Sequence, residues 1–473
     1  MNFLAENLLE KIIYLILNMN FMENNTVQKY VLIICALSSF VITVTTSSVN
    51  VALSTIGRDL IVSTSFLTWL QNIYLLIGAS CMIPFGRLGE IHGKKKVMYY
   101  GIIIFTIGSF LCAVSTSGDM LMVFRALQAV GSAMIFANIF SLITSVATPG
   151  EGGKILGIAV AIPYIGLSLG PVLGGMLTHY LGWRSIFLFN VPFGLATTFF
   201  LLKLKGEWCE AVGEKFDYIS SIVMALSLTA IIYGLSTITS AIAPYLILGG
   251  VIGIILFFYL QGKLKTPLIA PEIIRDRIFL VNNTTSLINY GPGIFVGFLL
   301  SLYFQDIRLL SAQQAGLLLA VQSVFVAIFS FISGRLSAKI RPRFIAATGI
   351  FITSFALALF VFVNEYTSYY FIIVSLAILG CGYGLSATSS TEISMKYFDK
   401  KFRGVSSASL NTTQYVGQML GMGITGAGIA IYMGTSQINP QNFALFIESF
   451  KLPFLVFSVL CFMAAFAYFI PRK

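Results

Sequence analysis

The 473-residue chain is poor in charge and nearly devoid of histidine: charged residues make up 10%, and His occurs only at His92 and His179. A soluble domain carries about 25% charged residues, so an ordinary water-exposed surface is excluded. Two histidines make a His-based metal site improbable, and no Ser/His/Asp or Cys/His constellation appears in any loop, so an intramembrane enzyme is a distant alternative. The six cysteines, Cys35, Cys81, Cys112, Cys209, Cys381 and Cys461, are scattered without a CxxC pair, which argues against a disulfide framework and a zinc site. No Gly-x-x-x-x-Gly-Lys-Ser/Thr loop occurs, so an ATP-driven pump is disfavoured. No catalytic residue, metal or cofactor is expected, and the chain reads as something other than an enzyme.

What fills the chain is apolar. Hydrophobic residues make up 57% and the mean hydropathy is +0.90. A helix crossing the hydrocarbon core needs about 20 mostly apolar residues. Such stretches lie at 30–53, 66–85, 97–115, 120–147, 155–178, 185–203, 217–238, 244–261, 280–303, 313–333, 344–363, 369–395, 405–432 and 451–470. They predict an all-α integral membrane protein with fourteen transmembrane helices, whose first partner is the lipid bilayer.

The net charge of +11 raises nucleic acid as a partner, but its placement points to topology instead. Basic residues favour cytoplasmic loops. With the N-terminus inside, all 29 fall on the inner side except five, Arg58, Arg125, Arg184, Arg308 and Lys451. Both termini are therefore predicted to be cytoplasmic, and nucleic acid is not. Residues 1–28 form a separate N-terminal segment. Its apolar stretch 3–17 is short and charged, and lacks a basic n-region and a small-residue cleavage site. It reads equally as an interfacial helix or as the product of a mis-assigned start, with Met19 or Met22 the true one.

The chain also repeats itself. Gly86-Arg87-Leu88 closes the second span and Gly334-Arg335-Leu336 the tenth, each before a short basic loop. This divides the chain into a six-helix half at 29–203, two linker helices at 204–265 and a second six-helix half at 266–473. Repeated halves with a substrate site at their interface are the usual build of secondary transporters. Within the fifth span, Gly166, Gly170 and Gly174 recur at four-residue spacing on one helix face, followed by Gly175. Small residues so spaced let helices approach closely in a bilayer, and Pro171 removes a backbone donor and predicts a bend.

These residues resemble the major facilitator superfamily, and within it the fourteen-span drug:proton antiporter family, across the chain after residue 28. Gly86-Arg87-Leu88-Gly89-Glu90-Ile91-His92-Gly93-Lys94-Lys95-Lys96 is similar to the signature Gly-x-Leu-x-Asp-x-x-Gly-Arg-Lys, with Glu90 in the Asp place. Gly86 and Gly93 are expected to permit tight turns. The resemblance implies a conformational latch of Gly86, Arg87, Glu90, Gly93, Lys94 and Lys95, in which the acid meets the N-terminus of span 13 near Gly404-Val405-Ser406-Ser407. Such a contact is worth about 0.3–1 kcal/mol. Arg125, with Gln128 and Gly131, resembles the family's Arg-x-x-Gln-Gly motif, with Ala129 in the Gly place. The family reading gives Arg125 and Gln128 a part in proton transfer, while the other reading of Arg125 is a side chain snorkelling to the outer surface. Gly166 to Gly175 resembles the antiporter signature Gly-x-x-x-Gly-Pro-x-x-Gly-Gly, through Gly166, Gly170, Pro171, Gly174 and Gly175. The run Trp183 to Pro192 resembles the start of the family's helix 6.

The departures bear on mechanism. Ser48-Val49-Asn50-Val51-Ala52-Leu53 resembles Ile-Val-Asn-Val-Ala-Leu, yet Thr45 stands where relatives carry a membrane Asp, and Ser54 replaces a Pro. None of the 18 carboxylates falls in the middle of a predicted span. Asp217 begins span 7, Glu392 lies near the inner end of span 12, and the others are assigned to loops or to the N-terminal segment. A proton-coupled exporter needs a group that titrates as access alternates, and Glu392 is the candidate that remains. The substrate cavity is expected to be polar and aromatic, lined by Thr45, Asn50, Asn138, Asn289, Tyr290, Tyr383, Asn411, Gln414, Tyr415 and Gln418. Aromatic faces hold a lipophilic cation by about 0.5–2 kcal/mol each.

The chain is expected to be a monomeric transporter of the plasma membrane, working by alternating access and, as the resemblance implies, exporting lipophilic or amphipathic small molecules in exchange for protons. Alternatives are an exporter of a neutral or anionic metabolite, an uptake symporter, or a membrane scaffold or sensor that does not transport.

Overall fold

A helix satisfies its backbone N–H and C=O groups within its own segment, which is the condition for burial in hydrocarbon. The computed structural model is accordingly helical through the apolar stretches. It describes residues 26–146, 152–264, 267–268, 276–337, 339–397, 403–434 and 436–468, with backbone alone at 152–161, 395–397 and 403–408. Fourteen long helices occur among these residues. In chain order they are α1 Thr26–Asp59, α2 Thr64–His92, α3 Lys94–Ala113, α4 Gly118–Val146, α5 Gly152–Leu181, α6 Arg184–Lys203 and α7 Tyr218–Ser236, then α8 Ala243–Gln261, α9 Arg277–Ile307, α10 Ala312–Leu336, α11 Pro342–Phe360, α12 Tyr369–Tyr397, α13 Arg403–Tyr432 and α14 Phe443–Ala467. Twelve of them, all but α5 and α13, are long and apolar enough over their described residues to cross a membrane. The segment 1–25, with its proposed interfacial helix, lies outside the described residues.

Several helix starts are set by side chains that accept from the first free backbone donors. Ser63 accepts from Phe66 N, Asp217 from Ser220 N and Asp276 from Phe279 N. Ser311 and Gln314 form a reciprocal capping box at α10. Asp217 thus serves as the cap of α7. In α9 the helix is interrupted at Gly291-Pro292, where proline lacks a donor, and it closes in a π-helical turn over Tyr303–Ile307.

The helices depart from the sequence expectation at three places. The second span continues as helix to His92, so Gly86 lies inside α2 and makes no turn; the break is at Gly93, whose φ of +111° favours glycine. The last helix starts at Phe443 rather than 451, because Glu448 and Lys451 pair at 2.5 Å one turn apart and make that entry compatible with helix. Carboxylates assigned to loops also sit on helices: Glu90 in the last turn of α2, Glu448 in α14, and Asp306 in the π turn of α9.

α5 lies between α1 and α10; α2 packs on α4 and α13; α11 packs on α12 and α14; and α10 packs on α12. The pair α7 and α8 pack on each other, and α7 touches both α2 and α13. The bundle has two ends, called here the Asp59 end, where α1 runs into α2, and the Gly93 end, where α2 runs into α3.

Candidate functional site

A cavity of about 170 Å³ lies among α1, α2, α4, α5, α9, α10, α12 and α13. Among the described residues, no charged side chain lines it. Of the ten residues expected there, Asn50, Tyr290, Tyr383, Asn411, Gln414, Tyr415 and Gln418 line it. The lining reaches toward the Gly93 end through Phe140, Thr391 and Leu410, each near the terminus of its helix at that end.

Small residues shape the walls. Tyr290 and Tyr383 meet edge to face, with centroids 5.7 Å apart. A Cβ at Gly293 would come within 2.8 Å of the Tyr383 hydroxyl and 3.3 Å of Gln418 Nε2, so glycine there leaves both polar tips free of α9. Asn50 Oδ1 accepts from Gln71 Nε2 at 2.5 Å, while a Cβ at Gly297 would lie 3.2 Å from Asn50 Nδ2. Tyr415 stacks edge-on against Phe136, and Gly78 leaves the space its ring occupies.

The remaining three residues are tied up between helices. Thr45 sits with its hydroxyl 2.6 Å from Asn190 Oδ1 and bonded to Val41 O. Asn138 Nδ2 donates to Phe85 O and Met134 O, in space that Gly89 leaves open. Asn289 Nδ2 donates to Ser386 Oγ. Interhelical hydrogen bonds of this kind hold polar side chains in membrane bundles. The lining also includes residues outside the ten expected, notably Tyr164 and Ser168 on α5 and Gln322 and Ser323 on α10. A polar side chain within an apolar span was the available signal, and Gln322 carried it.

Arg125 is fully buried. Its Nη1 donates to Gln128 Oε1 at 2.6 Å, Gln128 Nε2 donates to Ser109 Oγ, and the guanidinium lies 4.2 Å from the Tyr74 ring centroid. Its Nε and Nη2 have no hydrogen-bond partner among the described residues. Snorkelling is thereby excluded for this conformation. Tyr74 in turn donates to Ser132 Oγ at 2.8 Å. Glu392 is half-buried in α12, one residue past the lining residue Thr391.

The signature segment is bound by the connector after α6. Arg87 pairs with Glu90 at 2.6 Å and with Glu214; Lys94, fully buried, pairs with Glu210 at 2.5 Å and donates to Ser145 Oγ at 2.9 Å. Lys95 N donates to Glu207, Lys94 N to Trp208 O, and Glu210 N and Ala211 N both to Glu90 O. The spacing of Glu207, Glu210 and Glu214 is the signal that the sequence carries; which basic segment they meet is set by the fold. The implied partners of Glu90 at Gly404–Ser407 lie outside the described side chains.

The glycine motif faces two ways. Gly166, Gly170 and Gly174 bring α5 onto α1, where Ser47 Oγ donates to Leu167 O and Ser48 Oγ to Gly170 O. Gly175 and the Pro171 carbonyl instead bring α5 onto Ala312 and Gly316 of α10. The Asp59 end is closed by further contacts: Arg58 Nη2 lies 2.6 Å from Asp306 Oδ1, Ser54 Oγ donates to the same oxygen at 2.8 Å, and Gln305 Nε2 donates to Val51 O. Ser65 Oγ donates to Gly434 O and Thr64 Oγ1 to Ser436 O.

A helical bundle with a central cavity closed at one end is the architecture of a multi-span membrane transporter, which moves a small molecule across the lipid bilayer. The family model described as Major Facilitator Superfamily matches residues 35–260 and 279–473. The chain belongs to that superfamily. It is 27% identical over 437 residues to the riboflavin transporter RibZ of Clostridioides difficile (strain 630), covering 92% of this chain and 95% of that protein. It is 27% identical over 449 residues to the methylenomycin A resistance protein of Bacillus subtilis (strain 168), covering 92% and 94%. With the multidrug resistance protein Stp of Mycobacterium tuberculosis (strain ATCC 25618 / H37Rv) it shares 26% identity over 418 residues, 87% of this chain and 78% of that one. Its fold matches the crystal structure of a bacterial homolog of the human lysosomal transporter Spinster, in an inward-facing and unoccupied conformation, with a TM-score of 0.65 and 16% identity over 94% of this chain and 97% of that one.

Proposed function

We propose that this chain is a fourteen-span exporter of the plasma membrane that acts as a monomer and moves lipophilic or amphipathic small molecules outward in exchange for protons. Both termini are cytoplasmic on this reading, the Gly93 end is inside and the Asp59 end outside. Residues 29–203 and 266–473 are the two moving halves, and 204–265 joins them. The observation that carries the reading is the cavity between these halves, with contacts across the Asp59 end and a lining that extends to the Gly93 end. Relatives named for drug resistance support export. Arg125 with Gln128, and Glu392 beside the cavity mouth, are the proposed proton-coupling groups. Arg87, Glu90, Gly93, Lys94 and Lys95 form the inner latch, strapped to the connector in this conformation.

The cavity chemistry narrows the substrate. Tyrosine rings and amides without a carboxylate favour an uncharged, planar, hydrogen-bonding aromatic over a cation. The similarity to a riboflavin transporter supports the same class. Inverted vesicles containing the protein test both parts: uptake of riboflavin and of ethidium is followed with and without an imposed pH gradient. Gradient-driven riboflavin uptake that a protonophore abolishes is expected. Uptake of neither compound refutes the substrate class, and uptake that ignores the gradient refutes proton coupling.

A further inference from the structure

The closed Asp59 end holds an acid that the transport reading does not use. Asp306 lies in the π-helical turn Tyr303–Ile307 that ends α9, a geometry that departs from regular helix and recurs at functional sites. The next residue but two, Leu309, has a positive φ of 53°, unusual for a residue with a Cβ. The Asp306 side chain is 12% exposed, yet its Oδ1 is held by two groups of α1, Ser54 and Arg58, on the opposite half. Arg58 also donates to Gln305 O at 3.0 Å, and its side chain is 63% exposed. The pair thus joins the halves, while Arg58 gives the acid an edge on bulk water.

Among the described residues, no other charge competes for this carboxylate. On α1 the neighbouring Asp59 is taken by Arg184 and Trp183. Arg308, on the same segment as Asp306, turns away to Tyr303, Tyr369 and the carbonyls of Glu365 and Thr367. α10, which also packs against the turn, has Arg335 as its only charged residue, at its opposite end. Protonation of Asp306 therefore has one direct consequence: the carboxylate loses its charge and the ion pair with Arg58 is lost, which leaves Arg58, already largely exposed, held to α9 by the Gln305 carbonyl alone.

We propose that Asp306 is a proton-binding site of the outer gate: the proton arrives from the external medium, neutralises the carboxylate and removes the charged tie between α9 and α1, leaving the neutral bond of Gln305 to Val51 O and shifting the outer end toward opening. The assignment rests on the orientation and alternating access proposed above.

The test uses the full-length protein with Cys209→Ser, Thr116→Cys and Tyr366→Cys, spin-labelled at the two introduced cysteines on outer loops of opposite halves; the native residues at all three positions are exposed. The distance distribution between the labels is recorded from neutral to acidic pH. The wild-type background is expected to gain a longer-distance population as pH falls, and Asp306→Asn to show that population at every pH. Arg58→Gln is expected to open the gate at neutral pH, with Asp306→Asn adding nothing further, because the two remove one latch. A wild-type distance that ignores pH, an Asp306→Asn protein that titrates as wild type does, or additive effects of the two variants would each overturn the assignment. Vesicle flux on the same proteins separates this site from coupling itself. A gate that titrates through Asp306 while flux ignores the gradient supports the site and removes proton coupling; gradient-driven flux with an unaltered titration in Asp306→Asn does the reverse.

Discussion

Adjacent glycines of the α5 motif allow folding and conformational change to be perturbed separately. A Cβ added at Gly174 would lie 2.6 Å from Ser48 Cα on α1, inside the first half; one added at Gly175 would lie 2.6 Å from Ala312 O on α10, across the proposed halves. Ordinary contact begins at 3.4 Å, so either helix pair must separate by about 0.8 Å to accept alanine. Overpacking of this kind costs about 1–3 kcal/mol. In Gly174→Ala the contact persists whichever end is open, and the cost falls on stability. On the proposed alternating access the clash in Gly175→Ala exists only while the Asp59 end is closed, so the same cost shifts the ratio of open to closed by about 5- to 150-fold. The assay is the distance between labels at Thr116→Cys and Tyr366→Cys, read beside the melting temperature. Gly175→Ala is expected to populate the longer distance with little change in melting, and Gly174→Ala to melt earlier with the wild-type distances. Equal shifts in distance for both variants, or none for Gly175→Ala, would refute the division of labour along this helix.

Three further outcomes follow from the site. Glu210→Ala leaves buried Lys94 without its carboxylate and is expected to cost about 1–3 kcal/mol in thermal unfolding, whereas Lys94→Met, which leaves a Glu210 that is 58% exposed, should cost less; the reverse order contradicts the strap geometry. Tyr290→Ala and Tyr383→Ala each remove an aromatic wall worth about 0.5–1.5 kcal/mol, and riboflavin fluorescence titration should show weaker binding for both, with Thr45→Val unaffected because Thr45 faces Asn190. Glu392→Gln should abolish the gradient dependence of vesicle flux while leaving substrate exchange intact; unchanged gradient-driven flux rejects its role.

Much of the fold is legible in the chain because a bilayer imposes a one-dimensional rule: a stretch of about 20 apolar residues must cross, and must satisfy its backbone as helix. The fourteen stretches, the small-residue face of α5 and the basic loop after α2 were readable on those grounds. Seven of the ten expected cavity residues line the cavity, since polar side chains inside a bundle have few places to go. Thr45, Asn138 and Asn289 show the limit, for hydropathy marks a polar residue within a span but carries nothing about which neighbour its helix turns it toward. The tertiary structure decided that, along with the turning of Gly175 onto the opposite half, the binding of the basic loop by Glu207, Glu210 and Glu214, and the closure of one end by Arg58 and Asp306. Those pairings join residues up to 248 positions apart. Local sequence sets each helix, and only the packing of all of them determines which charges meet.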